Sequence, residues 1–202
     1  MKKRVLALTL TFSMVFTMLN AAFAVSPADF SDMPNDWSRG AIERAIENGL
    51  LSGANGRINA SGKLTRAEMA AIIVRAFGAT QAADLSAFSD VSSSDWYYDA
   101  MQKAVGMGVL SGSNRKLNPD AFITREEVCA VLHRAFLLED GGAAAQKFHD
   151  FDRISDWAKE AVSAMAAKGF IAGDSAGNVS AGNTITRAEF AQMMDNLVKG
   201  YP

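Results

Sequence analysis

Apolar residues recur at the spacing of α-helices in six segments of the chain, which alternate between a short type and a long type. Each short segment follows a tryptophan and presents one apolar face. Each long segment carries a stripe at positions i, i+3, i+4 and i+7 or i+8, as an amphipathic helix does. The pattern predicts an all-α protein built from pairs of a short and a long helix. The long stripes are Met69/Ile72/Ile73/Phe77, Val128/Val131/Leu132/Phe136 and Phe190/Met193/Met194/Leu197.

Local residues predict where these helices begin and end. An aspartate precedes each tryptophan and is a natural N-cap, and the glycine twelve residues after the tryptophan suits the left-handed position beyond a helix. Each long segment starts with Thr-Arg-x-Glu, a capping box in which threonine and glutamate satisfy each other's backbone amides. The predicted caps are Asp36, Asp95 and Asp156 for the short helices, Gly49, Gly108 and Gly169 after them, and Thr65, Thr124 and Thr186 for the long helices.

The same unit occurs three times. Each copy opens with Phe-x-Asp, at Phe30, Phe88 and Phe148, and the tryptophans lie 59 and 61 residues apart. Because one such helix pair cannot bury its stripe alone, we expect a pseudo-threefold bundle of the long helices, with the short helices as outer prongs. The predicted repeats are residues 25–86, 87–146 and 147–202.

The start of the chain has the features of an export signal. A basic cluster covers residues 2–4, an apolar run covers residues 5–19, and small residues flank Phe23. We predict a signal peptide over residues 1–24, cleaved after Ala24, and export to the cell surface. A retained anchor is the alternative, but the run is short for a membrane span, and no later stretch is apolar enough for one.

The charge of the chain limits the kinds of partner it can bind, and its cysteine content excludes an internal disulfide. Three of the 20 basic residues lie in the first 24 positions, so the remainder carries 17 basic and 22 acidic side chains, a formal charge of −5. This acidic balance argues against a nucleic-acid or polybasic membrane-binding protein. The single cysteine, Cys129, allows no internal disulfide, and it stands where the other repeats have Ala70 and Ala191, which predicts a small buried residue.

An enzyme is the contrasting hypothesis, and the sequence gives it little support. There are two histidines, His133 and His149, and no GxSxG, HExxH or phosphate-binding loop. Cys129 and His133 lie four residues apart on one predicted helix, but two ligands without a third favour an ordinary helix surface over a metal site. We therefore expect neither catalysis nor a cofactor.

Phe-x-Asp, tryptophan, Gly-x-x-x-Gly and Thr-Arg-Ala-Glu, in this order and in three copies, resemble the S-layer homology family. The resemblance covers nearly the whole chain after residue 24. It implies a monomeric pseudo-trimer with grooves between neighbouring repeats, located in the cell wall. It also implies a non-catalytic anchor for secondary cell-wall polysaccharide bearing pyruvate ketals. The alternatives are binding to peptidoglycan and a structural role in surface interactions.

Carried over by motif, the resemblance implies four kinds of ligand-facing residue in each repeat. The arginine can pair with a sugar carboxylate beside unpaired helix amides, and the tryptophan can stack on a sugar. The aspartate can accept sugar hydroxyls, and the glycine admits a ligand close to the backbone. As alternatives, the tryptophans are core pegs, the aspartates brace turns, and the capping glutamates only cap. The candidates are Arg66, Arg125, Arg187, Asp32, Asp90, Asp150, Trp37, Trp96, Trp157, Gly53, Gly112 and Gly173.

Two departures from the motif predict that the three grooves are not equivalent. Glu126 replaces the alanine found at Ala67 and Ala188, and its negative charge would weaken anion binding beside Arg125. Repeat 3 has extra charges before its tryptophan and a loop one residue longer. Repeat 1 is therefore closest to the family pattern.

Overall fold

The computed structural model describes residues 25–200, and the predicted signal peptide lies outside this range. Within it the chain forms six α-helices and isolated β-bridges but no β-strand. The all-α prediction is confirmed. The helices are α1 (Arg39–Glu47), α2 (Arg66–Phe77), α3 (Tyr98–Gly106), α4 (Arg125–Ala135), α5 (Lys159–Ala167) and α6 (Arg187–Gly200). Short 3-10 turns cover Pro27–Asp29, Ala144–Lys147, Phe151–Arg153 and Asp156–Ala158.

The short helices begin later than predicted. α1 starts after Ser38, whose side chain makes no capping hydrogen bond. Asp36 accepts hydrogen bonds from the backbone N and the Oγ of Ser38, at 2.9 and 2.6 Å, so it holds the turn that leads into the helix. α3 and α5 also begin without a side-chain cap. The N-cap prediction is therefore wrong for Asp36, Asp95 and Asp156.

The other predicted helix limits are confirmed. Thr65 Oγ1 accepts from the amide of Glu68, and Glu68 Oε2 accepts from the amide of Thr65 at 2.8 Å. The same reciprocal pairs open α4 and α6. The glycine after each short helix has a φ between +66° and +73°, a left-handed conformation that favours a residue without Cβ; these are Gly49, Gly108 and Gly169.

The three repeats meet at a closed ring of backbone hydrogen bonds. The amide of Leu64 donates to Ile185, that of Ile185 to Ile123, and that of Ile123 to Leu64, at 2.9 to 3.1 Å. Each of these residues comes just before the threonine of a capping box, and their side chains are at most 1% exposed. The ring therefore places the first turns of the three long helices around one pseudo-threefold axis.

Each long helix packs mainly against the short helix of the next repeat: α2 on α3, α4 on α5, and α6 on α1. The last of these pairs closes the ring between repeats 3 and 1. There Arg44 donates to both carboxylate oxygens of Asp195, at 2.5 and 2.7 Å. Corresponding positions in the two covalently linked interfaces hold Lys103 with Val74 and Ala164 with His133, so this two-bond ion pair belongs to the closing interface.

The core buries the single cysteine. Cys129 is 0% exposed, and burial raises the pKa of its thiol to about 12, so the prediction of a small buried residue is confirmed. Over residues 25–200, no three histidine, cysteine or carboxylate side chains lie together as a metal site would need. The helices of this part of the chain include none with the length and apolar character of a membrane span.

Candidate functional site

The three tryptophans stand at the surface of the molecule. Trp37, Trp96 and Trp157 are 63, 69 and 57% exposed, which contradicts the alternative that they are core pegs. Trp157 lines one groove and Trp37 lines another, and Trp96 packs edge-on against Tyr97. An indole this exposed has a free face on which a flat apolar surface can stack.

The first groove, here called the Trp157 groove, is assembled from all three repeats. It has a volume of about 410 Å³. Repeat 1 contributes Arg66, repeat 2 contributes Gly112, Phe122 and Arg134, and repeat 3 contributes Trp157. Two cationic and two aromatic side chains thus line one groove, which exists only when the three repeats are assembled.

Arg66 is tied to the neighbouring repeat. Its Nε donates to the carbonyl of Leu117 at 2.8 Å, and its Nη2 donates to the carbonyl of Ser111 at 2.9 Å. Its Nη1 donates to Glu127 Oε1 at 2.6 Å. Three of the five N–H groups of the guanidinium therefore donate within the protein.

Arg187 repeats this arrangement between repeats 3 and 1. It donates to the carbonyls of Ile58 and Ser52 at 3.0 and 2.7 Å, and to Glu68 at 3.4 Å. Burial lowers the pKa of this guanidinium, and the nearby carboxylate of Glu68 opposes the shift. Arg66 and Arg187 therefore both hold repeats together, a role that the motif did not predict.

Arg125 differs from the other two motif arginines. Its Nη2 donates to the carbonyl of Ala172 at 3.3 Å, while its Nε is buried without a hydrogen-bond partner. The salt bridges formed within residues 25–200 do not include it. The three arginines are thus in unlike environments, and Arg125 makes fewer hydrogen bonds than Arg66 and Arg187.

The helix amides beside these arginines are already paired. The amide of Arg66 donates to the carbonyl of Ala121 at 3.0 Å, and that of Ala67 donates to Pro119 at 2.9 Å. Loop carbonyls of the next repeat accept from the first two amides of α4 and α6 in the same way. The expectation of unpaired amides for a sugar carboxylate is therefore wrong, because the neighbouring repeat occupies them.

The motif aspartates hold the polar loop of their own repeat. Asp32 accepts from the amides of Ile58 and Asn59 at 2.7 and 3.0 Å. Burial alone would raise the pKa of Asp32, but these two amides and the nearby Arg57 outweigh it, so the pKa is lowered. Asp90 and Asp150 each accept from two amides of their own loops in the same way. The three aspartates therefore brace the turns of their own loops, as the alternative interpretation expected.

Two of the motif glycines are required by packing. A Cβ on Gly53 would lie 2.2 Å from the carbonyl oxygen of Arg57 and 2.2 Å from the ring of Phe30. A Cβ on Gly112 would meet the corresponding neighbours at 2.4 and 2.6 Å, whereas at Gly173 its closest contact is 3.1 Å. In repeats 1 and 2 the glycine thus lets the loop pack on the phenylalanine of Phe-x-Asp.

The second groove, here called the Trp37 groove, has a volume of about 480 Å³ and lies between repeats 1 and 3. Its lining includes the carboxylates of Asp32, Asp36 and Glu189 and one cation, Arg57. The two grooves therefore differ in the sign of their charge.

Phe122 and Arg134 line the Trp157 groove, and neither is among the predicted site residues. Phe122 is 55% exposed and stands where the other repeats have Lys63 and Thr184. An aromatic residue at a loop position that is polar in the other two repeats is the sequence signal that identifies it. Arg134 lies in the last turn of α4, and only the fold shows that this turn faces Arg66.

Comparison with known protein families matches the S-layer homology domain to residues 29–70, 87–129 and 147–191. The chain is 30% identical over 84% of its length to exoglucanase XynX of Acetivibrio thermocellus. It is 30% identical over 95% of its length to an amylopullulanase of Thermoanaerobacterium thermosulfurigenes, and over 93% to the surface-layer 125 kDa protein of Lysinibacillus sphaericus. The chain spans only 16, 10 and 17% of the lengths of these three relatives.

Proposed function

The chain belongs to the S-layer homology domain family, and on this basis we propose that it is a non-catalytic module that attaches to the bacterial cell wall. Its relatives include a surface-layer protein, an exoglucanase and an amylopullulanase. The part they share with this chain is a small fraction of each. Because these proteins have such different names, the segment that they share is better explained by a common means of attachment than by a common reaction.

The ligand that fits the Trp157 groove best is an anionic saccharide. Arg66 and Arg134 bring two positive charges to the groove, against the single carboxylate of Glu127, which already accepts from Arg66. The free N–H groups of a guanidinium fork match the two oxygens of a carboxylate. The excess positive charge favours a sugar that carries an acidic group.

The observation that supports this function most strongly is the placement of two exposed aromatic side chains beside these cations. Trp157 and Phe122 are more than half exposed and line the same groove. Aromatic faces contact the apolar faces of sugar rings, while the arginines select the charged substituent. The groove thus offers both halves of the recognition of an acidic sugar.

Pyruvate ketals on a secondary wall polysaccharide would supply such a group. A ketal-linked pyruvate presents one carboxylate on a compact sugar, which matches a groove that offers a few donors and two aromatic faces. Attachment would then place the chain in the cell wall at the cell surface.

Peptidoglycan is the second candidate ligand, and the Trp37 groove favours it. Three carboxylates with one arginine repel an acidic sugar but can accept hydrogen bonds from hydroxyl and amide groups. The neutral N-acetylated sugars of the peptidoglycan glycan strand would therefore bind here rather than at Trp157.

Co-sedimentation with purified cell walls separates the two ligands. Residues 25–202 are mixed with walls before and after hydrofluoric acid removes the secondary polymer. We expect the protein to sediment with untreated walls and to stay in solution with extracted walls. Sedimentation with both would assign the ligand to peptidoglycan, and sedimentation with neither would contradict wall attachment.

A matched pair of variants locates the binding surface. Trp157→Ala removes an exposed ring from the groove, and the apparent affinity for untreated walls should fall about tenfold, equivalent to about 1.4 kcal/mol. Leu137→Ala removes a side chain that is 84% exposed and does not line either groove, so it serves as the control. Equal binding by both variants would exclude the Trp157 groove.

A further inference from the structure

Glu126 is a buried carboxylate that crosses from repeat 2 to repeat 3. It lies at the second residue of α4 and is only 7% exposed. Its Oε2 accepts from the amide of Ser155 at 3.0 Å, and its Oε1 accepts from the Oγ of Ser155 at 2.7 Å. Ser155 comes two residues before Trp157 in the chain, so the carboxylate holds the segment that leads to the aromatic residue of the groove.

The pseudo-threefold arrangement shows what this position does when it lacks a long side chain. Glu126 corresponds to Ala188, and Trp157 corresponds to Trp37. Ala188 lines the open Trp37 groove, which extends from the indole to Asp32 and Ser38. At the interface between repeats 2 and 3, the carboxylate of Glu126 therefore occupies the position that is open in the Trp37 groove.

We propose that Glu126 fills the counterpart of the Trp37 groove between repeats 2 and 3 and so limits the length of the saccharide that the Trp157 groove binds; this inference rests on the proposed function. The Trp157 groove, which contains Arg66, Gly112 and Phe122, stays open to an acidic sugar. The space on the other side of the indole, here called the blocked half, is occupied by the side chain of Glu126. The Trp157 groove binds a short ligand, whereas the Trp37 groove has room for further sugars.

The side chain has physical reasons to remain in place. Both carboxylate oxygens accept hydrogen bonds from Ser155, and hydrogen bonds to an ionised group are among the stronger ones in proteins. The position in the first turn of α4 also puts the negative charge at the positive end of the helix dipole. A ligand that displaced Glu126 would have to replace both contributions.

Fluorescence can report on this one groove, because the chain has three tryptophans and each belongs to a different repeat. Replacing Trp37 and Trp96 by phenylalanine leaves Trp157 as the sole tryptophan, and both replaced side chains are more than 60% exposed. The probes are size-separated saccharides of the polymer that hydrofluoric acid releases from walls. Quenching or a shift of the Trp157 emission gives the affinity for each length.

In this background we expect the affinity to level off after the shortest saccharides. Adding Glu126→Ala should open the blocked half, so that longer saccharides bind about tenfold more tightly than short ones. Glu126→Gln keeps the shape and loses the charge, so it should retain the length limit. A length limit that survives Glu126→Ala would overturn the proposal, and so would a Gln variant that behaves like the Ala variant, because charge rather than occlusion would then set the limit.

The opposite substitution in the open groove is the matched control. With Trp37 as the only tryptophan, the probes are size-separated glycan fragments of peptidoglycan, the ligand proposed for this groove. Ala188→Glu places a carboxylate opposite Asn35, which stands at the position of Ser155. The length preference of the Trp37 emission should then disappear. Thermal unfolding followed by circular dichroism checks that each variant is folded. If no saccharide changes the emission of either tryptophan in the parent backgrounds, the proposed function fails, whereas a response without a change in length preference rejects the role of Glu126 alone.

Discussion

The aspartates and glycines of the repeat motif act first within the fold. Asp32 holds two amides of its loop, and Gly53 allows the same loop to pack against the ring of Phe30. In repeat 2 the corresponding glycine, Gly112, lines the Trp157 groove. Residues that shape the loop therefore shape the groove, without themselves needing to touch a ligand.

The glycines provide a test of this packing role. Gly112→Ala should lower the free energy of unfolding by at least about 2 kcal/mol, because the new Cβ would lie 2.4 Å from the carbonyl oxygen of Lys116. Gly173→Ala, where the closest contact is 3.1 Å, should cost less than about 1 kcal/mol. Urea denaturation measures both values, and equal losses would contradict the packing explanation.

The sequence motifs identify residues that the fold depends on, but they do not predict the contacts that those residues make. Arg66 donates to carbonyls 45 and 51 residues away, in another repeat, and no local pattern contains that information. The choice between exposed and buried tryptophans also depends on how the repeats assemble. Phe122 could have been found from the sequence as an aromatic residue where the other repeats have polar ones, whereas the place of Arg134 depends on the assembled fold.

At the scale of the helices, local chemistry determines the long helices more completely than the short ones. The capping boxes form as predicted because both partners lie within four residues of each other. The short helices begin late because Asp36 bonds to Ser38 in a turn instead of capping a helix. An aspartate suits both roles, and the sequence alone does not separate them.

Removing one cap tests its contribution to the whole molecule. Thr124→Ala deletes the acceptor of the Glu127 amide and should lower the free energy of unfolding by about 1 kcal/mol. Thr80→Ala changes an exposed threonine between repeats and is the control, with an expected effect within about 0.5 kcal/mol. Chemical denaturation compares the two, and a Thr124 variant as stable as the control would show that the cap adds nothing.

At the scale of the molecule, the fold is a ring with one interface that the chain does not link. The interface between repeats 3 and 1 contains the Arg44 and Asp195 pair, to which Lys199 adds a contact at 2.7 Å. Burial alone would raise the pKa of Asp195, but its hydrogen bonds with Arg44 and Lys199 outweigh this, and the pKa is lowered. The three repeats were predictable, but this closing contact was not, because it joins residues 151 positions apart.

This pKa shift gives a pH dependence with a definite sign. A carboxyl whose pKa is lower in the folded state stabilises the fold above its unfolded pKa of about 3.9, and this contribution disappears as the pH falls through the folded value. Asp195→Asn should therefore be less stable than the parent by about 2 kcal/mol at pH 7, and the gap should shrink below about pH 4. Urea midpoints at several pH values measure it, with Glu43→Gln in an exposed pair as the control. A gap that stays constant down to pH 2 would contradict the assigned role of the carboxylate.

Calorimetric titration tests whether the protein recognises an acidic sugar. Residues 25–202 are titrated with the wall polymer released by hydrofluoric acid, before and after mild acid removes its ketal-linked pyruvate. Recognition of an acidic sugar by the cationic and aromatic Trp157 groove predicts binding to the intact polymer and at least about a tenfold loss after the carboxylates are removed. Equal affinity for both polymers would contradict recognition of an acidic sugar, because the arginines would then have no part in binding the ligand.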